Sequence, residues 1–210
     1  MWELIKAGGW LMLPLVLCSV FTVAISLERF IRLKRGLVLP NSLMMHKGRH
    51  VNEVLRELET NAQIRETTLG VILKEGADAQ SQGEAYTRAQ MEATASREIG
   101  YLEKNINFLG TLSAVAPLLG LLGTVVGIIE SFLVIDLGAG TDPTMMIPGL
   151  SKALITTAAG MVVAIPALFA FRYFQRLVQE YVEELEQQST LFHAALFYQT
   201  QDSAEKLKAS

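Results

Sequence analysis

Five hydroxyl side chains, Thr111, Ser113, Thr124, Thr156 and Thr157, and two charges, Glu130 and Lys152, lie in or beside stretches that are otherwise apolar. On an apolar helix a hydroxyl has two uses. It satisfies itself on the carbonyl one turn back, or it offers a hydrogen bond to water or to an ion in transit. Thr124 stands six residues before Glu130 and Thr157 five after Lys152. At 1.5 Å per residue, each threonine lies about 8–9 Å inside a charge of its own segment. Antiparallel helices would then bring Thr124 near Thr157 and Glu130 near Lys152. Charge beside an apolar run is costly unless paired or wet, so opposite signs at matched depth predict an ion pair. Two side chains snorkelling independently are the alternative.

Other chemistry is scarce. His46-x-x-x-His50 has the spacing of two ligands on one helical turn, but no neighbouring glutamate or cysteine pair completes a metal site. Gly120-x-x-Gly123 sits inside an apolar run, where it cannot cradle phosphate, and neither a Walker motif nor a nucleophile elbow occurs. The reading is a protein that is not an enzyme, with no catalytic residue, metal or cofactor. A net charge of -3 leaves no basic footprint for nucleic acid.

The elements that must position the hydroxyls are apolar and long. Three stretches carry no charge: Ala7 to Leu27, Asn105 to Ile129 and Ala153 to Phe171. A helix needs roughly 20 residues to cross a bilayer, so the sequence predicts an all-α polytopic membrane protein with three transmembrane helices. The overall charge of 19% is therefore an average, since all 39 charges fall outside these stretches. The first stretch passes into Glu28 and Arg29 without a small-x-small cleavage site and reads as an uncleaved anchor. Its Cys18 is the single cysteine.

Lys and Arg near span ends stay cytoplasmic, and twelve of the eighteen lie in 28–104. The expected order is an N-terminus on the outer side and first span (1–27), a cytoplasmic helical segment (28–104), a second span (105–135), an outer-side loop (136–147), a third span (148–171) and a cytoplasmic C-terminal helix and tail (172–210). In the cytoplasmic part Val51, Val54, Leu55 and Leu58 fall at i, i+3, i+4 and i+7. Ser81-x-x-Glu84 fits a capping box, and with no proline from Asn41 through Ala116 a helix starting there is expected to run unbroken to about residue 135. Val178, Tyr181, Val182, Leu185, Phe192 and Leu196 continue a helical stripe beyond the third span. The second and third spans thus extend into a tall cytoplasmic bundle.

Within the spans, Gly123-x-x-x-Gly127 shares a face with Gly120 and Ala116, and Thr156, Gly160 and Ala164 recur every fourth residue. Small residues at this spacing let helix backbones approach closely. Pro117 and Pro166 each remove a backbone hydrogen bond inside a span, which is tolerated where neighbours or water satisfy the freed carbonyl.

The stretch from Pro117 through Gly120, Gly123, Thr124, Gly127 and Glu130 to Phe132, followed by Pro148 through Lys152, Thr156, Thr157 and Gly160 to Pro166, resembles the signature of the ExbB/TolQ/MotA ion-channel family. Pro14 and the exit Leu27-Glu-Arg-Phe30 are also similar to ExbB-type proteins. The resemblance implies a homopentamer in the bacterial inner membrane, its second and third spans lining a central pore that holds the single spans of a dimeric ExbD- or TolR-like partner. It makes the outer side, with the N-terminus and the 136–147 loop, the periplasm. It implies proton flow past an aspartate of that partner, rotation of one ring against the other, and force passed to a TonB- or TolA-like protein for import or envelope maintenance. Thr124 and Thr157 match the family's pore-facing threonines, with Thr156 beside them, and their implied role is to bond with the partner carboxylate or its water. Lys152 departs from the family's glutamate at the start of the third span, and Glu130 stands where a neutral polar residue is common. The alternative from another class is a scaffold that organises a partner complex without conducting ions.

Overall fold

The computed structural model describes residues 8–46, 50–136 and 143–199. Lys6, residues 137–142 of the connection between the second and third spans, and the tail beyond residue 199 lie outside the described residues. Every element among the described residues is helical. In chain order these are α1 (Met12–Arg32), α2 (Arg35–Val38), a 3-10 turn (Asn41–Leu43), α3 (Val51–Thr60), α4 (Ala62–Arg65) and α5 (Thr68–Ala79). A 3-10 turn (Gln80–Gln82), α6 (Glu84–Glu103), α7 (Ile106–Asp136), a further 3-10 turn (Pro143–Met146), α8 (Ile147–Ala194) and a π turn (Ala195–Gln199) follow. The chain divides into two compact units, Met1–Arg29 with Asn105–Phe174, and Phe30–Lys104 with Gln175–Ser210.

The first unit contains α1, α7 and the first half of α8. Its outer surface is apolar: Leu13, Leu17, Val20 and Val23 on α1, Leu118, Leu121 and Phe132 on α7, and Leu154, Val162 and Phe169 on α8 are all exposed. A soluble protein does not leave such continuous apolar surface in water. Three helices are long and apolar enough to cross a bilayer. The molecule is an all-α membrane protein with three membrane-crossing helices.

Small residues set the antiparallel seam between α7 and α8. A Cβ placed on Gly160 would come 2.6 Å from the Ala116 carbonyl and 3.0 Å from the Gly120 Cα. Gly123 is closed in the same way by the Thr156 side chain, and Gly127 by the Gly149 carbonyl at 2.7 Å. Ser131 Oγ ties the end of the seam, donating to the carbonyls of Gly127 (2.9 Å) and Met146 (3.2 Å). Both helices continue past their prolines, Pro117 and Pro166.

The second unit is built from larger side chains. Leu69, Ile72 and Leu73 of α5 are fully buried, as is Val54 of α3. Along the last part of α8, Val178, Tyr181, Leu185, Gln188 and Phe192 are buried at spacings of three and four, which is one face of a helix. The polar members of that face are satisfied: Tyr181 Oη donates to the Leu33 carbonyl (2.9 Å), and Gln188 Oε1 accepts from the Met45 N–H (2.6 Å).

Three local expectations are corrected. The helix does not run unbroken from Ser81 to residue 135. It stops at Glu103 and restarts at Ile106, with Asn105 in the left-handed region at φ 63. Asparagine tolerates that conformation better than most residues. Here Asn105 Nδ2 also donates to Glu28 Oε2 (3.1 Å), while Glu28 Oε1 accepts from the buried Arg29 (3.2 Å). Nor does Ser81 cap a helix: it lies in the 3-10 turn, and Gly83 at φ 102 precedes α6 with no side-chain cap. His46 lies outside any helix and His50 precedes α3 in extended conformation, so the spacing of ligands on one helical turn does not apply to them.

Candidate functional site

Near the end of α7 and in the first turns of α8 the antiparallel seam brings the two charges together. Lys152 Nζ donates to both oxygens of Glu130, at 3.0 and 2.8 Å. The Glu130 side chain is 44% exposed and that of Lys152 25%. In water a pair this open is worth about 0.2–1 kcal/mol. Beside an apolar surface the comparison that matters is with either charge left alone, which is far more costly. The geometry is one ammonium on both carboxylate oxygens.

Deeper along the seam the hydroxyls divide. Thr157 Oγ1 crosses to α7 and donates to the Gly120 carbonyl at 2.9 Å. Thr124 Oγ1 donates to the Leu121 carbonyl of its own helix at 2.6 Å. Both threonines are half-buried in the protomer. Thr156 is different: it is buried, its hydroxyl returns to the Lys152 and Ala153 carbonyls (3.1 and 2.9 Å), and its side chain fills the space that Gly123 leaves. Its neighbours on the same face, Gly160 and Ala164, are buried as well. Within the protomer Thr156 is thus part of the helix packing. Thr111 and Ser113 return to the Asn107 and Gly110 carbonyls of their own helix.

A carbonyl oxygen only accepts, so in each contact the threonine supplies the proton. With that proton committed, the oxygens of Thr124 and Thr157 present lone pairs. The three charge-free stretches contain no carboxylate. The site therefore combines acceptors along the seam, an ion pair at one end, and no titrating group of its own between them.

Sequence spacing did not point to Gly8 and Gly9, which precede α1. A Cβ on Gly9, whose φ is 73, would run into Lys152 Cε and lie 2.8 Å from Nζ. Two adjacent glycines before an apolar run read only as a turn, and their contact is more than 140 residues away in sequence. A separate cleft of about 390 Å³ in the second unit is lined by Arg88, Met91, Glu92, Glu186, Ser189 and His193. Its Arg88 is held by Glu92 at 2.8 Å, and the hydrogen bond to that carboxylate raises the guanidinium pKa.

The architecture and the seam motif have counterparts among known proteins. Residues 50–187 match the model of the MotA/TolQ/ExbB proton channel family. The chain is 31% identical over 179 residues to the biopolymer transport protein ExbB of Salmonella typhimurium, covering 81% of this chain and 73% of that protein. It is 33% identical over 180 residues to the biopolymer transport protein ExbB-like 1 of Synechocystis, covering 84% and 71%. With the Tol-Pal system protein TolQ of Haemophilus influenzae it shares 35% identity over 115 residues, 53% of this chain and half of that protein's length. The chain belongs to the MotA/TolQ/ExbB proton channel family.

Proposed function

We propose that this chain is the channel subunit of a proton-driven motor in the bacterial inner membrane. In this reading it assembles as a homopentamer around the single spans of a dimeric ExbD- or TolR-like partner, with its N-terminus periplasmic and its C-terminus cytoplasmic. Ion flow becomes mechanical work on a TonB- or TolA-like protein that spans the periplasm. The coupling ion is H+, and the chain uses no cofactor.

The observation that carries this reading is the state of the two threonine hydroxyls. Thr124 and Thr157 have given their protons to backbone carbonyls, so what they offer a passing group is lone pairs. Lone pairs welcome a protonated carboxylic acid, which donates, and disfavour a carboxylate, which cannot. A carboxyl group on the partner's span would be held neutral beside them, and a neutral acid crosses an apolar region at much lower cost than an anion. The charge-free stretches of the spans contain no carboxylate, so the titrating group is borrowed, while Glu130 and Lys152 hold the ends of α7 and α8 in register.

The test is proton flux in vesicles reconstituted from the full chain and its single-span partner under an imposed pH gradient. Removing one hydrogen bond to a neutral acid costs about 0.5–1.5 kcal/mol, so Thr157→Val and Thr124→Val should each lower flux by roughly two- to tenfold. Thr157→Ser keeps the hydroxyl and should keep the flux. If both valine variants conduct as the native chain does, the hydroxyls do not carry the path and the reading loses its support; if the native complex conducts nothing, the chain is a non-conducting scaffold.

A further inference from the structure

The Glu130–Lys152 pair has a third participant. Gly9 adopts a left-handed conformation (φ 73), and the space its missing side chain leaves is taken by Lys152: a Cβ there would meet Cε, with Nζ at 2.8 Å and Cδ at 3.5 Å. The Nζ that would be displaced is the atom bonded to both oxygens of Glu130. Gly8, buried beside it, is closed by Met12 Sδ (2.6 Å) and by the Thr156 methyl (3.3 Å). Thr156 lies one turn beyond Lys152 and bonds its carbonyl.

The turn itself is fixed. The Met12 N–H donates to the Gly9 carbonyl and the Leu13 N–H to that of Trp10, both at 3.1 Å. Met12 and Leu15, the first buried residues of α1, pack with Ala116 of α7 and Ala164 of α8. The backbone at Gly9 is therefore held against the lysine by a packed core and does not simply rest there.

We propose that the Gly8–Gly9 turn is a positioning element for the charge pair, bare backbone at Gly9 being what allows the Lys152 ammonium to reach both oxygens of Glu130. The atoms a side chain at Gly9 would strike are the end of a flexible lysine. The helices need not part, because the lysine swings away and the pair is lost. The first membrane helix thereby acts on the charged end of the other two, a role separate from anchoring. This inference rests on the geometry of the pair alone, and its test does not depend on ion conduction.

The test uses the full chain in membranes and reads acylation of Lys152 by a water-soluble amine reagent, quantified at that residue by peptide mass spectrometry. Gly9→Asn suits it, since asparagine tolerates the left-handed conformation yet carries a Cβ. The expected result is that Lys152 reacts several-fold faster in Gly9→Asn, as fast as in Glu130→Gln, while Lys74 and Lys104 react at the native rate. Native reactivity of Lys152 in Gly9→Asn, with an increase in Glu130→Gln, would overturn the proposal. If every lysine in Gly9→Asn speeds up, melting of the same substitution in a Lys152→Ala background decides. Recovery of the melting temperature of Lys152→Ala alone supports the proposal, because the clash has lost its target, and no recovery overturns it.

Discussion

The two units meet the demand for close packing with opposite residues. In the first, contact between α7 and α8 runs through Gly120, Gly123, Gly127, Gly160 and Ala116, while large aliphatic side chains such as Leu118, Leu121, Leu154 and Val162 face outward. In the second, Leu69, Ile72, Leu73, Leu185 and Phe192 are inside. The difference follows from the solvent. Lipid tails are as apolar as leucine, so burying leucine in a membrane gains little. Helices there associate through close backbone contact and interhelical hydrogen bonds, such as that from Thr157 to Gly120. In water each buried leucine or phenylalanine is worth about 1.5–3 kcal/mol, so bulk is the stabilising element.

The largest effect should come from adding bulk to the seam. Gly160→Val places atoms where the Ala116 carbonyl and the Gly120 Cα already stand, and backbone cannot step aside as a side chain can. We expect loss of the packed first unit, seen as the absence of a monodisperse peak after detergent extraction. A native-like peak would show that the seam is looser than its distances indicate. Removing bulk is the corresponding injury in the second unit. Leu73→Ala empties a fully buried site and should cost about 2–5 kcal/mol in chemical denaturation followed by far-ultraviolet circular dichroism.

A smaller effect of opposite sign tests the comparison at a single residue type. Gly100 lies within α6, and a Cβ there would meet nothing within 4 Å, so Gly100→Ala should stabilise by about 0.5–1 kcal/mol through helix propensity. Glycine is then required at position 160 and merely tolerated at 100. Destabilisation in the assembled protein would instead mean that another surface covers α6 at this point, and that small-residue packing extends beyond the membrane.

How far the sequence reveals this arrangement depends on the distance over which each feature is determined. The spans are legible because a soluble core seldom needs a charge-free helix of about 20 residues, whereas a bilayer requires one. The seam is legible because glycines four apart mark one helical face. The same spacing assigns Thr156 to the packed face, since it shares the register of Gly160 and Ala164. The break at Lys104–Asn105 is hardly legible: no glycine or proline marks it, and Asn105 is held by Glu28, 77 residues away. The start of α6 was hidden by a real competitor, because Ser81 and Glu84 have capping-box spacing while Gly83, at φ 102, sets the chain direction. The role of Gly9 could not be read at all, because a glycine carries no signal of what occupies the space it leaves.

The smallest predicted effect concerns how each unit treats a charge that is only partly wet. Glu98 on α6 has a side chain 17% exposed, and its nearest cation, Arg97, is 3.9 Å away. Desolvation raises its pKa, and the charge of Arg97 offsets only part of that. The folded state therefore disfavours the ionised form. The penalty is absent below the unfolded carboxylate pKa, develops as pH rises through it, and is complete above the folded value. Glu98→Gln should accordingly raise the melting temperature slightly at neutral pH and leave it unchanged below about pH 4. A gain that persists in acid would assign the effect to packing. Glu130 in the first unit is arranged differently: both of its oxygens are held by one ammonium within 3.0 Å. On α6 a loosely paired carboxylate is tolerated at small cost, whereas on α7 the carboxylate stands among exposed apolar side chains, Ile129 and Phe132 beside it, where an unpaired charge would be costly in an apolar surrounding, and there both oxygens meet one ammonium.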